Sequence, residues 1–250
     1  MRTMRKMVAI GGGEIGRPGY PVETMEIDQE ILRLSGKKCP RFLFLPTATW
    51  DSPTYISTVE NHFGGRLKCC VDSLCLVQEA VSQEVIRSKI LSSDIVYVGG
   101  GDTSFLLATW KEQHVDAVLE EACASGVVLS GLSAGSICWF DFGVGDEKNG
   151  RTELTTIDGL GIINGGHCPH YAKEPYTREN IARLTCNRTT SIIAVQNRCA
   201  LEVVGDEYRI ICSNQTVNAY KLFWKNEELI EKAIEKTEEF QDLHALLTIE

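Results

Sequence analysis

From the N-terminus to about residue 140, short apolar runs alternate with longer stretches in which apolar residues recur at helical spacing. The runs at 7–10, 41–45, 67–71, 95–98 and 127–129 are bounded by Gly, Pro or small polar residues and read as strands. Between them, 23–34, 55–63, 82–88, 104–110 and 115–124 read as helices. That rhythm is the one expected of βα units laid around a parallel sheet. After residue 140 the texture changes, with a polar stretch at 143–150 read as a loop and a Gly-rich run at 159–166. There follow a helix at 177–184 and a hairpin of 200–204 and 208–212, turning through Gly205-Asp206-Glu207. A charged, amphipathic stretch at 227–240 predicts a surface helix. There is no internal repeat, and one domain over 1–250 is the expectation.

With 250 residues, 43% of them hydrophobic, the chain can bury a substantial core. Its net charge of -9 argues against nucleic acid or an anionic membrane surface as a partner. Ten cysteines are scattered, include the adjacent pair Cys69-Cys70 and sit mostly in apolar runs, so they read as reduced, buried thiols. The apolar run near the start stops at Gly11, and no stretch approaches membrane-spanning length; a cytoplasmic location is expected.

Chemistry concentrates at the ends of the predicted strands, where open α/β sheets bind their ligands. Gly131-Leu132-Ser133-Ala134-Gly135 matches G-x-S-x-G between the strand at 127–129 and a helix expected over 136–140. Small residues two before and two after the serine permit a turn tight enough to project its hydroxyl, the geometry of an activated nucleophile. The plainer alternative is a Gly-rich turn whose serine caps a helix. Gly99-Gly100-Gly101 closes another strand; it is either a simple βα turn or a source of backbone N–H groups for an oxyanion.

A general base has to come from one of five histidines. His62 and His114 fall in or beside helical stretches and His244 lies in the tail, which leaves His167 and His170 in His167-Cys168-Pro169-His170-Tyr171. Position alone does not separate the two. A metal site at this cluster is disfavoured, because no further ligand with zinc-like spacing accompanies it. Gly11-Gly12-Gly13-Glu14-Ile15-Gly16 matches the dinucleotide fingerprint, but Pro18 and Gly19 interrupt the helix that should follow. A structural loop beside the active site is the better reading, and no cofactor is expected.

Taken in order, the Gly-rich turn after the first strand, Phe44-Leu45-Pro46-Thr47-Ala48, Val98-Gly99-Gly100-Gly101-Asp102-Thr103, Gly131-Leu132-Ser133-Ala134-Gly135-Ser136, Gly159-Leu160-Gly161 and Pro169-His170-Tyr171 resemble the peptidase E and cyanophycinase family of serine peptidases. The resemblance implies a three-layer α/β/α fold with a mostly parallel sheet, like that of class I glutamine amidotransferases. It implies Ser133 as nucleophile, His170 as base, and the Gly101 and Ala134 N–H groups as the oxyanion hole. Where the family carries a Glu as third catalytic member, this chain has Asn197; Glu202 and Asp158 are the substitute acids to consider. The family's substrate-recognition positions correspond to Asp102 and Arg178, with pairing between the two as the alternative. The implied activity is hydrolysis of a short peptide or isopeptide by a monomer or homodimer, with a catalytically impaired binding homologue as the alternative.

Overall fold

The computed structural model describes residues 5–146, 154–186 and 188–249. The first half runs β1 (Lys6–Ile10), α1 (Met25–Ser35), β2 (Arg41–Leu45), α2 (Pro53–Val59), a π-helical continuation (Glu60–Arg66), β3 (Cys70–Ser73), α3 (Gln83–Ser92), β4 (Ile95–Val98), α4 (Thr103–Glu112), α5 (Val115–Ala124), β5 (Val128–Leu132) and α6 (Ala134–Ile137). The second half runs β6 (Phe140–Asp146), β7 (Leu154–Asp158), β8 (Ile163–Cys168), α7 (Arg178–Thr185), β9 (Ile192–Val195), β10 (Cys199–Val204), β11 (Glu207–Cys212), β12 (Ala219–Lys225), β13 (Glu228–Ala233), β14 (Gln241–Asp242) and α8 (Leu243–Leu247).

An eight-stranded sheet has the order β14-β11-β10-β1-β5-β4-β2-β3. From β1 to β3 every pairing is parallel, while β10, β11 and β14 extend it antiparallel on the other side of β1. Alternation along the strands separates two cores. Val8 and Ile10 of β1 face Ile27 and Ile31 of α1 and Phe63, whereas Met7 and Ala9 face the side covered by α3, α4 and α5. The result is a three-layer α/β/α body. Helix α1 shows why its segment is helical: Ile27, Ile31 and Leu34 recur at helical spacing on one buried stripe, and Gly36 ends it in the left-handed conformation with φ 67°.

A second sheet of six strands, β13-β12-β9-β8-β6-β7, was not foreseen. Ile193 and Val195 of β9 join the core of the first sheet, while Ile192 and Ala194 turn outward to a third cluster with Ile181 of α7. Four expectations are corrected. The stretch 143–150 is not a loop throughout, since β6 continues to Asp146, and 147–150 lie outside the described residues. The helix after the serine is Ala134–Ile137 rather than 136–140. The stretch 227–240 holds strand β13, paired antiparallel with β12, instead of a helix. The cysteines are not uniformly buried either: Cys39, Cys70 and Cys186 are exposed.

One buried polar chain braces the π-helical segment. The Thr24 hydroxyl and His62 Nε2 both reach Asp28 Oδ2, at 2.7 and 2.8 Å, and Arg66 donates to His62 Nδ1 at 2.8 Å. Because a guanidinium only donates, Nδ1 is the accepting nitrogen and Nε2–H donates to Asp28. Among the described residues no helix is long and apolar enough to cross a membrane.

Candidate active site

Strands β1, β5 and β4 are neighbours and parallel, so their C-terminal ends deliver Gly11-Gly12-Gly13, Ser133 and Gly99-Gly100-Gly101 to one edge of the sheet. Ser133 occupies a strained conformation, φ 58° and ψ −115°, between β5 and α6. The surrounding glycines are what the turn requires. A Cβ at Gly131 would lie 2.0 Å from the Gly135 carbonyl oxygen, and one at Gly135 would lie 2.1 Å from that of Val98. The Ser133 N–H is held by the Ile10 carbonyl at 3.1 Å, tying the turn to the end of β1.

The Ser133 hydroxyl is 2.8 Å from His170 Nε2, and His170 Nδ1 is 2.7 Å from Asn197 Oδ1. An amide oxygen only accepts, so Nδ1 carries the imidazole proton and Nε2 is left to accept from the serine. Both partners are seated on the first glycine turn. Gly11 accepts the His170 N–H at 2.9 Å and Gly12 accepts the Arg198 N–H at 2.7 Å, fixing the loops that carry the histidine and the asparagine. Gly12, at φ 149°, lies directly beneath the pair: a Cβ there would come within 2.3 Å of Asn197 Oδ1 and 2.5 Å of the His170 ring. The Gly11–Gly16 match thus serves as a platform for the imidazole.

Ser133, His170, Asn197 and Gly101 line one cleft of about 1020 Å³, whose far wall is built from the start of α2 and its approach, including Ser52, Thr54 and Tyr55. Among the described residues neither the Gly101 nor the Ala134 N–H has a hydrogen-bond partner, so both are available to an incoming oxygen. His167 sits elsewhere. It is fully buried, stacked on Phe140, and its Nδ1–H donates to the Ile193 carbonyl at 2.9 Å. Its Nε2 faces Ser136 Oγ at 2.9 Å, and burial pushes its pKa down to about 3, so it is a neutral bracing group behind the serine turn.

The model of Peptidase family S51 matches residues 7–211. The chain belongs to peptidase family S51. Among relatives of this S51 protein, the uncharacterized peptidase YgaJ of Bacillus subtilis strain 168 is 36% identical over 232 residues, spanning 91% of this chain and 96% of its own. Two solved structures share the fold at 20% identity. A peptidase from an acI-B1 Actinobacterium has a TM-score of 0.72 and covers 96% of this chain and 98% of its own. A candidate peptidase E from Listeria monocytogenes has a TM-score of 0.63 and covers 84% and 98%.

Other residues singled out in this S51 chain fall outside the cleft. Asp102 is buried, and its Oδ1 accepts the Phe105 N–H at 2.9 Å as the N-cap of α4, so its carboxylate is turned into the helix terminus rather than toward a substrate. Arg178 donates to the Leu229 carbonyl and lies 3.9 Å from Glu231; it does not pair with Asp102. Glu202 is bound by Arg209 at 2.7 Å beneath α1, where burial drives its carboxyl upward, and Asp158 faces Arg188 at 3.6 Å on the surface. The two ring nitrogens of His170 meet other groups, Nδ1 the Asn197 amide and Nε2 the Ser133 hydroxyl. Among the described residues no three His, Cys, Asp or Glu side chains gather as metal ligands. Sequence reasoning missed two contributors, Gly12 under the imidazole and Tyr55 in the cleft wall. For Gly12 the signal existed, the middle one of three consecutive glycines after a strand; Tyr55 carried none.

Proposed function

We propose that this S51 chain is a serine-type peptidase that hydrolyses an amide or isopeptide bond in a short peptide. The observation that carries the reading is the unbroken relay from Ser133 Oγ through His170 to Asn197, at 2.8 and 2.7 Å. Ser133 Oγ attacks the carbonyl carbon while its proton passes to His170 Nε2. The Gly101 and Ala134 N–H groups receive the developing oxyanion. His170 then returns the proton to the leaving amine, and a water activated by the same nitrogen releases the acyl group from Ser133. The cleft, about 1020 Å³, suits a few residues rather than a folded chain.

The test is a panel of dipeptides and blocked aminoacyl amides with acidic, β-aspartyl-arginyl and neutral first residues, offered to the parent and to Ser133→Ala. Turnover by the parent that disappears in the folded variant is expected; equal turnover by both sinks the assignment. A second reading, a binding protein with impaired catalysis, is favoured by one observation: the group on the Nδ1 side of His170 is a neutral amide, which orients the ring without charge to support an imidazolium. Saturable peptide binding with no turnover by the parent would select it.

A further inference from the structure

Helix α2 sends one side chain across the cleft to the triple-glycine loop. The Tyr55 ring stacks edge-on against Phe44 with centroids 5.0 Å apart. It passes over Gly99, where a Cβ would lie 2.8 Å from Tyr55 Cε1, so the first glycine of the loop is an opening for this ring. The Gly100 N–H donates to the Tyr55 hydroxyl oxygen at 3.3 Å. Gly100 in turn abuts the serine turn, since a Cβ there would stand 3.2 Å from Ser133 Cβ. The ring is thus held by Phe44 and the hydroxyl by Gly100, and Tyr55 lines the same cleft as Ser133 and Gly101.

A phenol that accepts one N–H still has its own proton to give, and among the described residues the Tyr55 hydroxyl donates to no other group. Building on the reading of Ser133 as nucleophile, we propose that Tyr55 is a further catalytic residue, whose hydroxyl donates a hydrogen bond to the oxygen that turns negative when Ser133 adds to the amide carbonyl. Gly101, Ala134 and Tyr55 then surround that oxygen with three donors, two from the backbone and one from α2. No proton leaves the phenol in this step. Burial pushes its pKa up to about 12, so the donor keeps its hydrogen at neutral pH. The placement also explains why the loop carries glycine at both 99 and 100, one to admit the ring and one to approach the serine.

A fluorophosphonate reports this step directly. Ser133 Oγ forms a bond to phosphorus, the P–F bond breaks, fluoride leaves, the serine proton passes to His170, and the phosphoryl oxygen sits where the oxyanion would. Labelling rates are to be measured for the parent, Ser133→Ala, Tyr55→Phe and a protein carrying 3-fluorotyrosine at position 55. Labelling of the parent that vanishes in Ser133→Ala establishes the nucleophile independently of Tyr55. Tyr55→Phe is then expected to lower the maximal labelling rate by about 100-fold while leaving the reagent's half-saturating concentration within about twofold, the signature of a donor used in the transition state. The fluorinated phenol, a stronger donor and weaker acceptor, is expected to label at least as fast as the parent at neutral pH. Its rate falls at lower pH than the parent's, because a phenolate donates nothing. A Tyr55→Phe protein that labels within twofold of the parent, or a fluorinated protein that labels more slowly at neutral pH, overturns the proposal and leaves Tyr55 a tether for Gly100.

Discussion

At position 12 the chain can carry no side chain, because the space a Cβ would take is filled by the Asn197 amide and the His170 ring. Gly12→Ala is therefore expected to displace the imidazole from Ser133, lowering peptide turnover or fluorophosphonate labelling by about 100-fold or more, since misplacement of a catalytic group by about 1 Å has that effect. The melting temperature of the same variant separates this local loss from general unfolding. Asn197 offers the opposite experiment. Its oxygen already lies 2.7 Å from His170 Nδ1, so Asn197→Asp changes charge with little change of shape. A carboxylate there stabilises the imidazolium formed as Ser133 attacks, and a rate gain of about 10-fold or more is expected in the same assay. An unchanged rate would mean that orientation of the ring is all this position contributes.

At the scale of elements, His167 makes β8 and the serine turn sensitive to acid. Its pKa is about 3 in the fold against an ordinary value of 6.5. The unfolded chain therefore binds a proton that the native one refuses. Stability is fully present above about pH 6.5 and is lost as pH falls from there toward 3, by up to about 1.4 kcal/mol per pH unit from this group. His167→Gln is expected to be less stable at pH 7 and to show a shallower decline on acidification in denaturant melts. Most strands of the first sheet and most of its helices were legible because their apolar periods are local; β14 was not, and β3 begins at Cys70 rather than at 67. The second sheet was not, and its glycines are the reason. Gly143 of β6 leaves room for Ile137, where a Cβ would come within 2.5 Å, and Gly166 of β8 leaves room for Phe142 at the same distance. These glycines serve close packing inside strands, yet in a sequence they look like loop residues. The charged stretch that forms β13 was misread for a related reason: what makes it a strand is pairing with β12, a non-local partner that periodicity does not reveal. The site divides similarly. Ser133, His170 and Asn197 lie in recognisable segments, whereas Tyr55 reaches the cleft through packing of a helix on a sheet.

Taken as a whole, the molecule joins its two sheets through one apolar cluster, in which Ile193 and Val195 of the second meet Met7, Ala9 and Leu129 of the first. Ile193 is fully buried there. Ile193→Ala should cost about 2–5 kcal/mol, and, because the cluster is shared, tryptophan fluorescence and far-UV circular dichroism should report a single coincident transition. Separate transitions would show that the sheets unfold independently. The same joining sets an order on the chemistry. Ser133 is laid down in the middle of the chain, but the imidazole hydrogen-bonded to it comes at residue 170, the amide that orients that ring at 197, and the strand paired on the other side of β1 only with β10. A chain halted on the ribosome before that point carries the serine without the histidine and amide that face it in the fold. On the proposed reading of the site, completion of the fold and activation of the serine are one event.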